Sequence, residues 1–114
     1  MHEFSLAQGL VSQLLALADQ HNALKICTVR VAIGSQAGIV ADSFAFGFDV
    51  LSRENGLLKD AVLEIIETHP QHRCLDCGGI MPFTLTKPSC SQCGSQRLAS
   101  VGGDDLILSQ IEME

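Results

Sequence analysis

Four cysteines in two pairs are the residues of this chain best equipped for chemistry. "CLDCGG" holds Cys74 and Cys77, "CSQCGS" holds Cys90 and Cys93, and twelve residues separate the pairs. Two residues between cysteines let both thiolates reach one ion from a tight turn, and Gly78 and Gly94 relieve the backbone where it doubles back. Two such turns on facing hairpins make a tetrahedral shell of four thiolates. Zinc is the default occupant; iron suits the same sulfurs. A closed shell leaves no position for water, so the ion is structural rather than catalytic. Its binding contributes on the order of 10 kcal/mol to folding, by analogy with zinc-finger peptides. His69 and His72 stand just before Cys74. Either could replace a thiolate or hold a second ion; the plainer expectation is a solvent-facing residue or one that supports a ligand from behind.

The second place for chemistry is the start, "MHEFSL". The amine of Met1, the amide nitrogen of His2 and the His2 Nδ1 close two chelate rings around one ion. The backbone nitrogen of Glu3 or an external ligand completes a plane, and planar nitrogen donors suit Ni(II) or Cu(II). This chemistry requires Met1 to stay, and the bulky residue at position 2 favours its retention. Taken alone, a histidine at position 2 is more commonly an incidental surface residue, and Glu3 is an acid favoured by a helix N-terminus. The fifth cysteine, Cys27, shares a strand face with Val29, Val31 and Ile33, so it is expected to be a small buried apolar residue. No nucleophile triad, phosphate loop or paired-carboxylate site is visible.

These groups need elements to position them. "FSLAQGLVSQLLALADQHNA" repeats apolar residues at helical steps and predicts a first helix. "KICTVRVAI" alternates and predicts a half-buried strand. "DSFAFGFDVLSRE" predicts a second helix with Asp42 as its N-cap. "NGLLKD" is a turn, and "AVLEIIET" a second strand that buries Leu63 and Ile65, with Val62 and Ile66 as further candidates. From His69 to about Ser100 the chain holds all three prolines and little that could fill a core. "VGGDD" reads as a hinge, matched by a second hinge at Pro70, and "LILSQIEM" as a last strand. The fold class is α+β. A small mixed three-stranded sheet carries two helices on one face, with an inserted four-cysteine zinc-ribbon-like module. Residues 1–69 and 101–114 form the first domain and 70–100 the second. The strand–helix–strand passage makes the first two strands parallel.

The chain has 114 residues, 46% hydrophobic and 18% charged, which describes a folded globular protein. No apolar run reaches the length of a membrane span, and no basic, apolar leader opens the sequence. A cytoplasmic location is expected, where paired thiols hold metal rather than form disulfides. The net charge of −6 argues against nucleic acid as a partner. The module also lacks a basic stripe, with Phe83 its only aromatic residue.

Together, "MHEFSL", the "IG" that ends the first strand, "SFAFGFDVL" and the late four-cysteine module resemble the HypA/HybF family of nickel metallochaperones, along essentially the whole chain. The resemblance implies service to [NiFe]-hydrogenase maturation and, in some organisms, urease. It implies one transient Ni(II) per chain at His2, with the Met1 amine and the Glu3 backbone, and one structural Zn(II) at Cys74, Cys77, Cys90 and Cys93. It implies two partners, a nickel-handling GTPase and the hydrogenase large-subunit precursor, and a chain that is a monomer or weak homodimer rather than an enzyme. Family members often carry an acid just before the second helix; Val40 stands there in this chain, and Asp42 is the nearest acid. Two other readings of the residues compete. A zinc-ribbon adaptor would have no nickel preference, and a rubredoxin-like iron carrier would be coloured and redox-active.

Overall fold

The computed structural model describes residues 2–84, 86 and 88–114. Helix α1 spans His2–Gln20, strand β1 Ile26–Gly34, helix α2 Ala41–Arg53 and strand β2 Val62–Thr68. Three short strands follow, β3 (Gln71–Cys74), β4 (Ile80–Pro82) and β5 (Leu98–Val101), and then β6 (Leu106–Met113). The first sheet has the order β2-β1-β6, with β1 parallel to β2 and antiparallel to β6. The mixed sheet expected from the sequence is therefore present. The cysteine module has a second sheet of its own, β4-β3-β5, antiparallel throughout. Its strands have only three or four residues each, too short for a periodicity that sequence can reveal.

The core lies between the first sheet and the helices. Ala7, Leu10, Leu14 and Ala18 from α1 meet Phe44 and Phe48 from α2 over Val29, Val31 and Ile33 of β1. Burial of the Leu, Val, Ile and Phe side chains among these contributes about 1.5–3 kcal/mol each. Leu58 is also fully buried, although it sits in the turn after α2, where the backbone carbonyl of Leu57 receives the Ile26 amide at 2.9 Å. The sheet's other face is uncovered: Val62, Ile66 and Ile107 are each about half exposed. Val62 and Ile66 therefore do not join Leu63 and Ile65 in the core. A strand with one helix-covered face buries alternate residues only.

Two bulges in the β1–β6 ladder reset the alternation. Ile26 pairs with Met113 and Thr28 with Glu112, so Cys27 is an extra residue on β1. Arg30 pairs with Gln110 and Val31 with Leu108, so Ser109 is an extra residue on β6. The first bulge turns Ile26 into the core and leaves Cys27 half-buried, which corrects the expectation from simple alternation. The second puts Leu106, Leu108, Ile111 and Met113 all against the core, despite their mixed parity. Ser109 Oγ–H donates to the Arg30 carbonyl at 3.1 Å.

Another correction concerns α2. Its N-cap is Val40, in extended conformation and without a side-chain bond, and Asp42 lies within the first turn. There the carboxylate acts on the helix dipole instead of on an amide.

The two crossings between the sheets are not loose hinges. Ser35 N–H donates to Thr68 O, Gln36 N–H to Gly103 O and Gly34 N–H to Asp105 O, each at 2.7 Å. A Cβ on Gly34 would lie 2.1 Å from the Gly103 oxygen, and one on Gly103 would lie 2.5 Å from the Pro70 nitrogen. Three backbone segments thus stack through two glycines, and no side chain would fit between them. This joint ties both crossings to the loop that leads into α2.

Candidate metal centres

The four paired cysteines converge. Their sulfurs all lie within 4.8 Å of one another, with Cys74–Cys93 at 3.6 Å and Cys77–Cys90 at 3.5 Å. A tetrahedral ion with metal–sulfur bonds of about 2.3 Å separates its ligands by about 3.8 Å, so the cluster has the right size. Each pair forms the same turn. The Cys77 amide donates to Cys74 Sγ, and the Gln92 and Cys93 amides donate to Cys90 Sγ, all at 3.4 Å. The Gly78 amide closes the first turn onto Cys74 O and the Gly94 amide closes the second onto Cys90 O, both at 2.9 Å. Both glycines have φ near +75° (77° and 75°), where a side chain would be strained.

The turns set the charge state. Amide donors, that of Cys77 foremost, bring the Cys74 thiol down to about 6, and the amides of Cys93 and Gln92 lower Cys90. Their partners go the other way. The Ser95 amide lowers Cys93, but its crowding against Cys74, Cys90 and Cys77, with desolvation, outweighs that and pushes it up to about 12. Cys77 is likewise raised: the Gly79 amide lowers it, and Cys90, Cys74 and desolvation prevail. Four thiolates this close repel one another unless a cation sits among them. The donor set therefore fits a thiophilic divalent ion such as zinc. Cys74 and Cys90 are buried while Cys77 and Cys93 are exposed, so solvent reaches one edge of the cluster.

Among the described residues, neither His69 nor His72 belongs to this cluster. His69 is exposed and opens onto a groove of about 620 Å³ between the sheets, shared with Gln36, Pro70 and Phe83. His72 is buried, contrary to a solvent-facing placement. Its ring stacks on Phe83 at 4.7 Å, and its Nε2 lies 3.1 Å from the Thr84 carbonyl. A carbonyl only accepts, so Nε2 carries a proton, and the buried Nδ1 has no hydrogen-bond partner among the described residues. His72 pins the middle of the segment between the cysteine pairs. Its alternation with Cys74 on β3, in register with Met81, is the signal that points it inward.

Among the described residues, His2 and Glu3 are not part of the sulfur cluster. Met1 is outside the described residues. Helix α1 begins at His2, which is exposed, and Glu3 is half-buried beside it. The first turns of α1 run over the start of β6, where Ser5, Leu6 and Gly9 share a groove with Leu106 and Leu108. The N-terminal end of α1 therefore shares the joint's end of the first sheet. Val40 is exposed before α2, and Asp42 is exposed in its first turn.

Comparison with known proteins decides the family. The family model described as "Hydrogenase/urease nickel incorporation, metallochaperone, hypA" matches residues 1–113. The chain belongs to the HypA family. A hydrogenase maturation factor HypA from Alkalilimnicola ehrlichii is 36% identical, with 100% of both chains covered. One from Xanthobacter autotrophicus is 34% identical, with 99% of each covered. Among solved structures, the solution structure of a HypA protein superposes with a TM-score of 0.79 at 29% identity, covering 100% of this chain and 97% of that one. The Ni metallochaperone HypA from Helicobacter pylori gives 0.69 at 28% identity, covering 97% and 96%. The HypA likeness thus takes in both sheets, both helices and the four-cysteine cluster. No helix among the described residues is long and apolar enough to cross a membrane.

Proposed function

We propose that this chain is a nickel metallochaperone, not an enzyme, which delivers Ni(II) during maturation of [NiFe]-hydrogenase, with urease as a second client. One zinc ion sits at Cys74, Cys77, Cys90 and Cys93 and holds the second sheet together. One nickel ion binds transiently at the Met1 amine, the His2 amide and Nδ1, and the Glu3 backbone nitrogen. Residues 1–69 and 101–114 act as the nickel domain and 70–100 as the zinc domain. The protein works in the cytoplasm as a monomer or weak homodimer. It meets the nickel-handling GTPase of the pathway and the hydrogenase large-subunit precursor.

The observation that carries this reading is the start of α1 at His2. The first four amides of a helix have no carbonyl partner within it, so those of His2 and Glu3 are free to lose a proton to a metal. The positive end of the helix dipole favours the amidate that results. An exposed imidazole on the same turn completes the chelate. The position of the family's usual acid is held by exposed Val40, and Asp42 is the carboxylate nearest in sequence to support the ion. The test is Ni(II) titration of untagged protein. His2→Ala, or residues added ahead of Met1, abolishes nickel binding and leaves zinc near one per chain. Unchanged nickel affinity in both variants rejects the N-terminal site.

A further inference from the structure

Gly47 lies in the middle of α2, where glycine is the poorest helix former except proline. It is buried, and its neighbours show why it is there. A Cβ on Gly47 would meet Phe4 Cδ1 at 3.3 Å, Ala7 Cβ at 3.4 Å and the Phe4 backbone Cα at 3.7 Å. The two helices therefore pack closely where α1 completes its first turn. Ala7, fully buried, supplies the other small side of the crossing. Phe4 stands two residues after His2, so what seats Phe4 also sets the direction in which the chain's first residues leave α2. Glycine gives α1 this depth with no displacement, whereas even a methyl would push the Phe4 ring aside. A larger residue would lever the first turn outward while leaving Leu10, Leu14 and Ala18 in the core.

We infer that Gly47 is the positioning residue of the N-terminal donor set. By admitting Phe4 against α2, it holds the first turn of α1 wound, and this fixes the His2 imidazole relative to the terminal amides. The inference rests on the proposed nickel reading for its ligand, while its structural half is measurable without metal.

The experiment compares Gly47→Leu, which favours helix, with the double variant Phe4→Ala/Gly47→Leu, which returns the space. In metal-free protein the amides of Leu6, Ala7 and Gln8 report the first turn, because in a helix they bond the carbonyls of His2, Glu3 and Phe4. Hydrogen exchange at these amides accelerates in Gly47→Leu relative to those of Leu14–Ala18. Ni(II) affinity falls roughly ten- to a hundredfold, the usual effect of losing a residue that orients metal ligands. The nickel absorption spectrum shifts, and zinc stays near one per chain. The double variant recovers slow exchange and affinity together. If Gly47→Leu does not fold, Gly47→Ala carries the same comparison with a smaller effect, since its methyl displaces only the Phe4 ring. Exchange that is unchanged, or that rises evenly along α1, overturns the inference. So does local fraying with parental nickel affinity. If the parent itself binds no nickel through His2, the nickel reading fails, and the donor-positioning role falls with it even where exchange marks Gly47 as the seat of Phe4.

Discussion

Replacing Gly103 with alanine attacks the joint between the sheets in two ways at once, and the protein contains the controls that separate them. Gly103 has φ +75°, and its Cβ would strike the Pro70 backbone at 2.5 Å. Gly38 has nearly the same conformation, φ +72°, with nothing within 4 Å. Gly34 has no positive φ, but its Cβ would lie 2.1 Å from the Gly103 oxygen. Left-handed backbone costs an alanine roughly 1–2 kcal/mol. About 0.4–1 kcal/mol of that is offset, because alanine restricts the unfolded chain. Gly38→Ala should therefore destabilise by about 1 kcal/mol or less. Forcing a packed neighbour aside costs typically about 1–3 kcal/mol, and here the neighbour is backbone, which places Gly34→Ala at the upper end. Gly103→Ala combines both effects, about 3–4 kcal/mol in all. In a chain of this size each kcal/mol moves the melting temperature by about 4 °C. The assay is urea and thermal unfolding of the zinc-loaded variants side by side. The expected order of loss is Gly38→Ala, then Gly34→Ala, then Gly103→Ala. If Gly103→Ala is no worse than Gly38→Ala, the crossings yield easily and the joint is a hinge after all.

Two further outcomes follow from the cysteine module. In reduced, metal-free protein the lowered Cys74 and Cys90 contribute stability that is present above their ordinary value near 9 and lost as pH falls through about 6 for Cys74. The raised Cys77 and Cys93 contribute stability present below 9 and lost as pH climbs toward about 12 for Cys93. Stability of the module therefore peaks near pH 9; a flat urea midpoint between pH 6 and 9 contradicts the amide-bonded turns. For His72, nitrogen NMR should show a proton on Nε2, and a ring protonated on Nδ1 alone would be incompatible with the bond to Thr84. His72→Phe keeps the stack on Phe83 but orphans that carbonyl, at a cost of about 1 kcal/mol measured by denaturation.

The long elements were legible because each rests on a repeated pattern. The stripe of Ala7, Leu10, Leu14 and Ala18 and the alternation of Val29, Val31 and Ile33 are strong signals, and both lie in the core. The four cysteines carry their geometry in their spacing. What escaped is what one residue decides. Cys27 and Ser109 each break a ladder by one position, and no alternation rule locates such a bulge. Leu58 joins the core from a turn, with no repeating pattern of its own. The capping reading of Asp42 failed because α2 starts two residues earlier, at Ala41 after Val40. Gly34 and Gly103 look like ordinary loop glycines in sequence. Their importance comes from backbone distant along the chain, Gly103 against Gly34 and Pro70 against Gly103.

The joint also bears on how the chain comes to be folded. Strand β1 cannot complete the first sheet until β6 arrives; Arg30 and Gln110, which hydrogen-bond across that pairing, are separated by 80 positions. Most of the intervening distance is crossed at the joint, where residues 68–70 and 102–105 lie side by side on β1. Once the four thiolates close around an ion, the ends of the inserted module are held near one another, and the loop left to be closed is short. Loop-closure entropy then falls, and the search for the β1–β6 register shrinks with it. The insert thus works as a splice between two distant parts of one sheet. Binding of one ion thereby favours the pairing that sets β6 beneath the first turns of α1.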